Sequence, residues 1–226
     1  MRLGVLFSGG KDSCFACYKA MKKYDVVCLI SIISRNEESY MFHTPNIALT
    51  KIQAEIMNIP LIIQETEGKK EEELKDLKKA IEIGKEKYKI EGVVTGAIES
   101  VYQSSRIQKI CNDLDIGCFN PIWQMNQMNL LKELVSAGFK TVITGVFAYP
   151  FDETWLGREI DEKTIKELEE LQKRHKISPS GEGGEIETFV YDAPMFKKRI
   201  EITKASKTYS KYSGVYRIEE VRLVEK

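Results

Sequence analysis

The sequence lacks any apolar run that approaches the about 20 residues needed to cross a bilayer. It also lacks a charge excess, because 34 lysines and arginines offset 34 aspartates and glutamates in a chain of 226 residues. A chain without net charge has no overall attraction for polyanions or acidic lipids. We therefore expect no membrane partner and no nucleic-acid partner.

Cysteine is scarce, and its odd count of five argues against a framework of disulfides. We recognise no secretory leader, so we expect reduced thiols and a cytoplasmic protein. Cys14 and Cys17 form a C-x-x-C pair inside a predicted helix, and we interpret them as small packing residues. Cys111 and Cys118 do not have the spacing of a zinc site.

The most informative stretch is Leu3–Ser13, which reads LGVLFSGGKDS. Its apolar start predicts a buried strand, its glycines allow a sharp turn, and its last three residues begin a helical pattern. A helix N-terminus attracts anions, and Lys11 adds a positive charge. Asp12 would repel a phosphate unless a divalent cation lay between them. We expect Lys11 and Asp12 to lie outside the hydrophobic core. The residues that we expect to hold a phosphate are Ser8, Gly9, Gly10, Lys11, Asp12 and Ser13.

Strand and helix patterns alternate through residue 122, which predicts an α/β domain with a doubly wound, Rossmann-like parallel sheet. The predicted strands are 3–7, 25–33, 60–64, 92–96 and 116–119, and the predicted helices are 11–20, 47–57, 71–88 and 101–114. Residues 123–226 predict a smaller α+β domain for the substrate. Its predicted helices are 127–137 and 161–175, and its predicted strands are 140–148, 187–191, 199–206 and 215–224.

Ligands of such sheets bind beyond the carboxyl ends of the strands. Two further stretches, 34–36 and 95–100, are predicted to lie at those ends beside the glycine turn. A glycine there permits close approach to a nucleotide, a serine can cap the next helix, and an arginine on that helix can reach phosphate oxygens. The nucleotide-binding residues that we predict from these stretches are Ser34, Gly96, Ala97, Ser100 and Arg106.

A second unusual stretch, Gly181–Glu187, holds three glycines and three glutamates within seven residues. Like charges in close quarters raise the free energy unless a cation is present. We interpret the stretch as a site for something positive, such as Mg²⁺, ammonium or a quaternary ammonium group, although a solvated acidic loop stays open as the alternative.

Both motifs resemble those of a known family. The turn SGGKDS resembles the pyrophosphate loop, SGGxDS, of the ATP pyrophosphatase (PP-loop) superfamily. Together with TGAIESVYQSSRIQKIC, PIWQ, AYPFDETWLGR and SGEGGEIETFVYDAPMF, the chain from Leu3 to about Phe196 resembles the diphthine–ammonia ligase family. The stretch Gly181–Glu187, called the glutamate loop below, makes this resemblance specific, whereas residues 197–226 carry no recognised motif.

The resemblance implies a PP-loop fold and an ATP-dependent ligase that amidates diphthine, a modified histidine of translation elongation factor 2. The diphthine carboxylate would attack the α-phosphate of ATP, and ammonia would then displace AMP. ATP and Mg²⁺ are the implied cofactors, with Asp12 as the implied metal ligand. The residues implied in catalysis are Lys11, Asp12, Glu182, Glu185 and Glu187. Those implied in substrate binding are Tyr102, Gln103, Trp155, Glu182, Gly184, Glu185 and Glu187.

Two alternatives stay open at this point. One is a PP-loop enzyme that modifies tRNA, which for thiolation would need reactive cysteines; the other is a nucleotide-binding module without catalysis. A glutaminase that supplied ammonia would need a cysteine paired with a histidine, and His43 and His175 are the only histidines. We therefore expect free ammonium as the nitrogen donor. The sequence leaves the oligomeric state undecided, and a homodimer is compatible with it.

Overall fold

A computed structural model of the chain describes residues 1–35, 46–69 and 72–226. Asn36 and His43, from the predicted loops, and Glu71, at the predicted start of a helix, lie outside these ranges. The described residues form two compact units, Met1–Trp123 and Gln124–Lys226. None of the helices in these residues is long and apolar enough to cross a membrane.

The first unit is an α/β unit in which strands and helices alternate, as predicted. Its elements are β1 (Arg2–Leu6), α1 (Lys11–Met21), β2 (Asp25–Ser34), α2 (Thr50–Met57), β3 (Leu61–Thr66), α3 (Glu72–Tyr88), β4 (Gly92–Val94), α4 (Val101–Asp113) and β5 (Gly117–Phe119). The strands are parallel and lie in the order β3-β2-β1-β4-β5. The order reverses between β1 and β4, which is where a ligand site is expected.

The sheet of this unit is covered on both faces, which explains its nearly continuous apolar strands. Side chains of α3 and α4 form one hydrophobic cluster with β2, β3 and β4. Gly4 of β1 faces this cluster, because a Cβ there would meet Ile90, Cys28 and Ile30. Side chains alternate along a strand, so the buried Leu3 and Val5 point to the opposite face. There α1, which contacts β1, β2 and β4, supplies the cover.

The second unit is an α+β unit with an antiparallel sheet. Its elements are α5 (Gln127–Ser136), β6 (Lys140–Val146), α6 (Glu162–His175), β7 (Ile186–Asp192), β8 (Lys198–Ser210) and β9 (Ser213–Glu225). The strand order is β7-β6-β9-β8. These observations confirm the predicted fold class.

Two differences in strand length bear on the site. The predicted strands 92–96 and 140–148 end earlier, at Val94 and Val146, which leaves Gly96 and Phe147 in the connections that follow them. In contrast, β8 continues to Ser210 rather than Ser206. Its outer half is polar and exposed and therefore lacks the alternation that marks a strand; pairing with β9 along its whole length holds it.

Candidate functional site

The turn between β1 and α1 is held in place by its own polar groups. Ser13 Oγ accepts a hydrogen bond from Ser8 N at 3.2 Å and donates one to Gly10 O at 3.2 Å. Gly9 has a φ of +79°, and its carbonyl accepts a hydrogen bond from Gln53 Nε2 at 3.0 Å. A side chain at Gly9 would collide with Gln53, since a Cβ would lie 2.3 Å from its Oε1. The turn is therefore formed before any ligand arrives.

Helix α1 begins at this turn with an end that suits an anion. Gly10 is its N-cap, and no side chain caps the helix. The first N–H groups and the positive end of the helix dipole consequently face outward beyond the carboxyl end of β1. The turn follows the central strand β1 at the reversal of strand order. This confirms that it lies between a buried strand and a helix, at the carboxyl end of a strand of the parallel sheet.

Lys11 and Asp12 form an ion pair in the first turn of α1. Lys11 Nζ donates to Asp12 Oδ2 at 2.7 Å. Lys11 is only 2% exposed, so the prediction that it lies outside the core is wrong for this residue. Asp12 Oδ1 is buried and accepts no hydrogen bond from any described residue. That oxygen is a suitable ligand for a cation.

Gly96 brings the end of β4 into direct contact with this turn. A Cβ at Gly96 would lie 2.8 Å from Asp12 C and 2.8 Å from Ser13 N. Both are backbone atoms of α1 and cannot rotate away. Glycine is therefore required so that the chain after β4 can pack against the first turn of the helix, which the sequence suggested only as a possible approach to a nucleotide.

Asn120, at the carboxyl end of β5, is a polar residue that sequence reasoning missed. The buried Thr95 accepts a hydrogen bond from Ala97 N at 3.2 Å and donates its own hydrogen to Asn120 Oδ1 at 2.5 Å. The Asn120 amide is thereby fixed, and its Nδ2 has no partner among the described residues. A strand as short as β5 gives only a weak signal in the sequence. The signal that could have identified Asn120 is its position directly after a parallel strand, at the edge of the sheet where ligands bind.

The glutamate loop of the second unit folds around one carboxylate. Glu185 Oε1 accepts a hydrogen bond from Ser178 N at 2.9 Å, and Oε2 is buried without a partner in the described structure. A Cβ at Gly183 would lie 2.7 Å from that Oε2. Gly181 and Gly184 have φ values of +77° and +82°. The glycines thus have a structural reason of their own, since they let the loop close over Glu185.

The neighbouring glutamates lie close by along the chain. Glu182 is half-buried in the turn, and Glu187 is in β7, opposite Gly145 of β6. Glu185 directly precedes β7, and Glu187 is the second residue of that strand. This arrangement supports the predicted site for a positive group, with an unpartnered oxygen on Glu185 as its clearest sign.

Comparisons with known proteins agree on one family. Residues 1–117 match the model of the diphthamide synthase N-terminal domain, and residues 126–224 match that of the C-terminal domain. The chain belongs to the diphthamide synthase family. A mouse relative named diphthine–ammonia ligase is 34% identical over 89% of this chain and 83% of its own length. The human relative of the same name is 33% identical over 88% of this chain and 82% of its own length.

Longer relatives in the diphthamide synthase family exist in fungi. The fission yeast (Schizosaccharomyces pombe) protein, also named diphthine–ammonia ligase, is 31% identical over 90% of this chain but only 36% of its own length. A crystal structure described as a predicted subunit of a tRNA methyltransferase from Methanocaldococcus jannaschii has a TM-score of 0.45 and 21% identity, over 86% of this chain and 98% of that one. A likeness this distant carries no argument about fold or function.

In this member of the diphthamide synthase family, two predicted aromatic contacts already have partners. Arg106 Cζ lies 3.5 Å from the centroid of the Tyr102 ring, on the same helix α4. Arg158 Cζ lies 4.6 Å from the Trp155 ring, which is buried edge-on against Phe151. Each ring therefore has an arginine of the protein against one of its faces, and contact of either ring with a substrate stays a prediction. The structure gives Trp155 a packing role in the second unit.

The other predicted residues of the first unit lie near strand and helix ends. Ser100 caps α4 as expected, and its Oγ accepts a hydrogen bond from Gln103 N at 3.3 Å. Ser34 ends β2. Ala97 follows Gly96 and is fixed by its hydrogen bond to Thr95. Their contacts with a ligand stay predictions.

The turn between β1 and α1 offers a magnesium ion one protein ligand, Asp12. Across residues 1–35, 46–69 and 72–226, no group of three or more histidines, cysteines or carboxylates is placed to hold a metal. Asp12 Oδ1 supplies one free carboxylate oxygen. Magnesium usually takes one or two carboxylates and fills its other positions with phosphate oxygens and water, so a single aspartate beside a phosphate site is an adequate protein contribution.

Cys14 and Cys17 are placed for packing. Cys14 and Cys17 are fully buried on α1. Burial raises the pKa of the Cys14 thiol well above its ordinary value, with Cys17 adding to the shift, and burial raises the pKa of Cys17 to about 12. A thiol is a nucleophile only as the thiolate. At neutral pH this pair is therefore inert, as the sequence interpretation expected.

Proposed function

We propose that the protein is an ATP-dependent ligase that converts diphthine of translation elongation factor 2 into diphthamide, with ammonium as the nitrogen donor. Relatives that match most of the chain carry the name diphthine–ammonia ligase. The observation that carries the proposal is the uncapped N-terminus of α1, with Lys11 and Asp12 in its first turn, at the reversal of strand order. ATP is the anion that this site would bind.

The chemistry assigned to the site consists of two substitutions. A carboxylate oxygen of diphthine attacks the α-phosphorus of ATP, the bond to the bridging oxygen breaks, and pyrophosphate leaves. Ammonia then attacks the acyl carbon of the resulting adenylate, AMP leaves, and the nitrogen loses a proton to water. Lys11 and the N–H groups of α1 offset negative charge on the phosphates. A Mg²⁺ ion on Asp12 would supply further charge neutralisation.

The fixed turn matters because the phosphates must meet the carboxylate in line. Ser13 and Ser8 hold the loop through hydrogen bonds, and Gln53 holds the Gly9 carbonyl. Hydrogen-bond donors that are already oriented need no rearrangement during the reaction. They can therefore stabilise the negative charge that develops in the transition state without a cost in reorganisation. Asn120 Nδ2 adds one more fixed donor at the carboxyl end of β5.

The direct experiment is to incubate the protein with ATP, Mg²⁺, ammonium and diphthine-bearing elongation factor 2. We expect AMP and pyrophosphate in equal amounts, together with the mass change of a carboxyl group that has become an amide. Omitting ammonium, or adding EDTA, should remove the amide. Glutamine in place of ammonium should not support turnover. Release of AMP and pyrophosphate only with tRNA, or binding of ATP with no release under any condition, would contradict the proposal.

The buried thiols give a second test, aimed at the tRNA-thiolating alternative. We expect the double substitution Cys14→Ala and Cys17→Ala to leave turnover within about twofold of the wild type, since burial raises the pKa of both thiols and keeps them protonated at neutral pH. Stability should fall by about 1 kcal/mol for each buried sulfur removed. The measurements are AMP formation and the urea midpoint of unfolding. A folded double variant without activity would favour sulfur chemistry instead.

A further inference from the structure

Phe147 is an exposed aromatic residue at the border of the glutamate loop. It follows β6 directly, and its N–H donates to the Glu185 carbonyl at 2.9 Å. The antiparallel register continues from the pairs Gly145 with Glu187 and Val146 with Ile186. Phe147 and Glu185 therefore lie next to each other, joined through the backbone just beyond the last pair of the ladder.

Gly145 lets the Phe147 ring lie along the strand beside Glu187. A Cβ at Gly145 would lie 2.6 Å from Phe147 Cε2 and 3.1 Å from Glu187 Cβ. The ring thus covers the glycine and reaches the side of Glu187. This face of the sheet consequently presents an aromatic ring beside Glu187, next to the start of β7.

The Phe147 ring differs from the other aromatic rings considered for the substrate. The rings of Trp155 and Tyr102 each have an arginine of the protein against them. Phe147 is 37% exposed, and no ring or cation of the described residues stacks on it. Glu185 Oε2 is buried with no hydrogen-bond partner in the described part of the chain.

An open aromatic face beside carboxylates suits a cation that has no hydrogen to donate. A quaternary ammonium group is held by the negative face of a ring and by nearby negative charge. A metal ion or a protonated amine would instead gain more from direct oxygen ligands than from the ring. The ring is therefore the feature that separates these cations.

We propose that Phe147, together with Glu185 and Glu187, recognises the trimethylammonium group of the substrate and so determines specificity. This inference rests on the proposed function, because the quaternary group belongs to diphthine. Phe147 is a binding residue in it and takes no part in the bond changes.

The test compares Phe147→Leu with the wild type in the complete amidation assay. Leucine keeps an apolar side chain but removes the ring, so we expect KM for diphthine-bearing elongation factor 2 to rise about 5- to 30-fold with kcat little changed. Phe147→Trp, which restores a ring, should bring KM back to within about threefold of the wild type. Tyr212→Leu, at an exposed aromatic residue that packs on Tyr149, is the matched control and should leave KM unaltered.

A second measurement needs no variant. Tetramethylammonium chloride should inhibit the wild type in competition with the protein substrate, more strongly than sodium chloride at equal ionic strength, and the KM for ATP should stay constant. An unchanged KM in Phe147→Leu, or equal inhibition by the two salts, would overturn the inference about Phe147. The proposed function would still stand in that case, provided that the wild type forms the amide. Failure of the wild type to form any amide would overturn the proposed function itself.

Discussion

Lys11→Met should lose about 100- to 1000-fold in amide formation, which is the scale of removing one group that stabilises developing negative charge. Methionine keeps much of the buried stem but removes the ammonium group, so the loss reports charge rather than packing. The removed group also pairs with Asp12 at 2.7 Å, and the variant should unfold more easily by about 1–3 kcal/mol. AMP formation and urea unfolding measure the two effects separately.

The double variant Lys11→Met with Asp12→Asn separates the ion pair from catalysis. It leaves no carboxylate without its cation, so stability should recover relative to Lys11→Met alone. Activity should stay low, because neither the ammonium group nor the metal ligand is restored. A double variant that regained turnover would show that Lys11 serves the fold only, and the phosphate site would have to be placed elsewhere.

Gly96→Ala should reduce turnover by about 100-fold, even though it adds one methyl group and removes no polar or charged group. The new Cβ would lie 2.8 Å from two backbone atoms of the first turn of α1. The helix start has to shift, and with it the N–H groups and Lys11 that we assign to the phosphates. Overpacking of this kind also lowers stability by about 1–3 kcal/mol. Turnover at saturating ATP and the unfolding midpoint are the measurements.

Gly84→Ala is the matched control in the same unit. Its Cβ would lie 3.0 Å from Cδ1 of Ile90 and 3.6 Å from Cδ1 of Ile30 and of Ile62, all of them ends of side chains rather than backbone. Alanine also favours the helix in which it lies. We expect full activity and unchanged or higher stability. If Gly96→Ala behaved in the same way as Gly84→Ala, close packing of β4 against α1 would not matter for the reaction.

The sequence predicted most of the fold because each strand and helix of the first unit has its own local signal. The apolar run 25–33 and the spaced apolar residues of 71–88 indicate a strand and a helix without knowledge of their neighbours. The outer half of β8 lacks such a signal, since its partner strand rather than its own pattern keeps it extended.

The candidate site was predictable where residues are adjacent in sequence and not where pairing brings them together. The turn SGGKDS and the loop Gly181–Glu187 are continuous, so their chemistry is readable from the sequence. Phe147 is 38 residues before Glu185, and only the β6–β7 register puts them together. The contacts of Trp155 with Phe151 and Arg158 likewise depend on the fold and are not readable from the residue type.

The burial of Lys11 illustrates a further limit. A lysine in a glycine turn looks solvent-exposed in sequence because lysine is rarely buried. Here the carboxylate of the adjacent Asp12 pairs with the ammonium group and makes its burial tolerable.

The hydrogen bonds of Thr95 also give Asn120 a fixed polarity. Thr95 Oγ1 accepts a hydrogen bond from Ala97 N and donates one to Asn120. The Asn120 side chain therefore has its oxygen, not its nitrogen, against Thr95. The amide hydrogens on Nδ2 are then the groups of this side chain that are left to bond a ligand. Asn120 Nδ2 can therefore form a hydrogen bond with an acceptor, such as an ether oxygen or a ring nitrogen, but not with a group that can only donate.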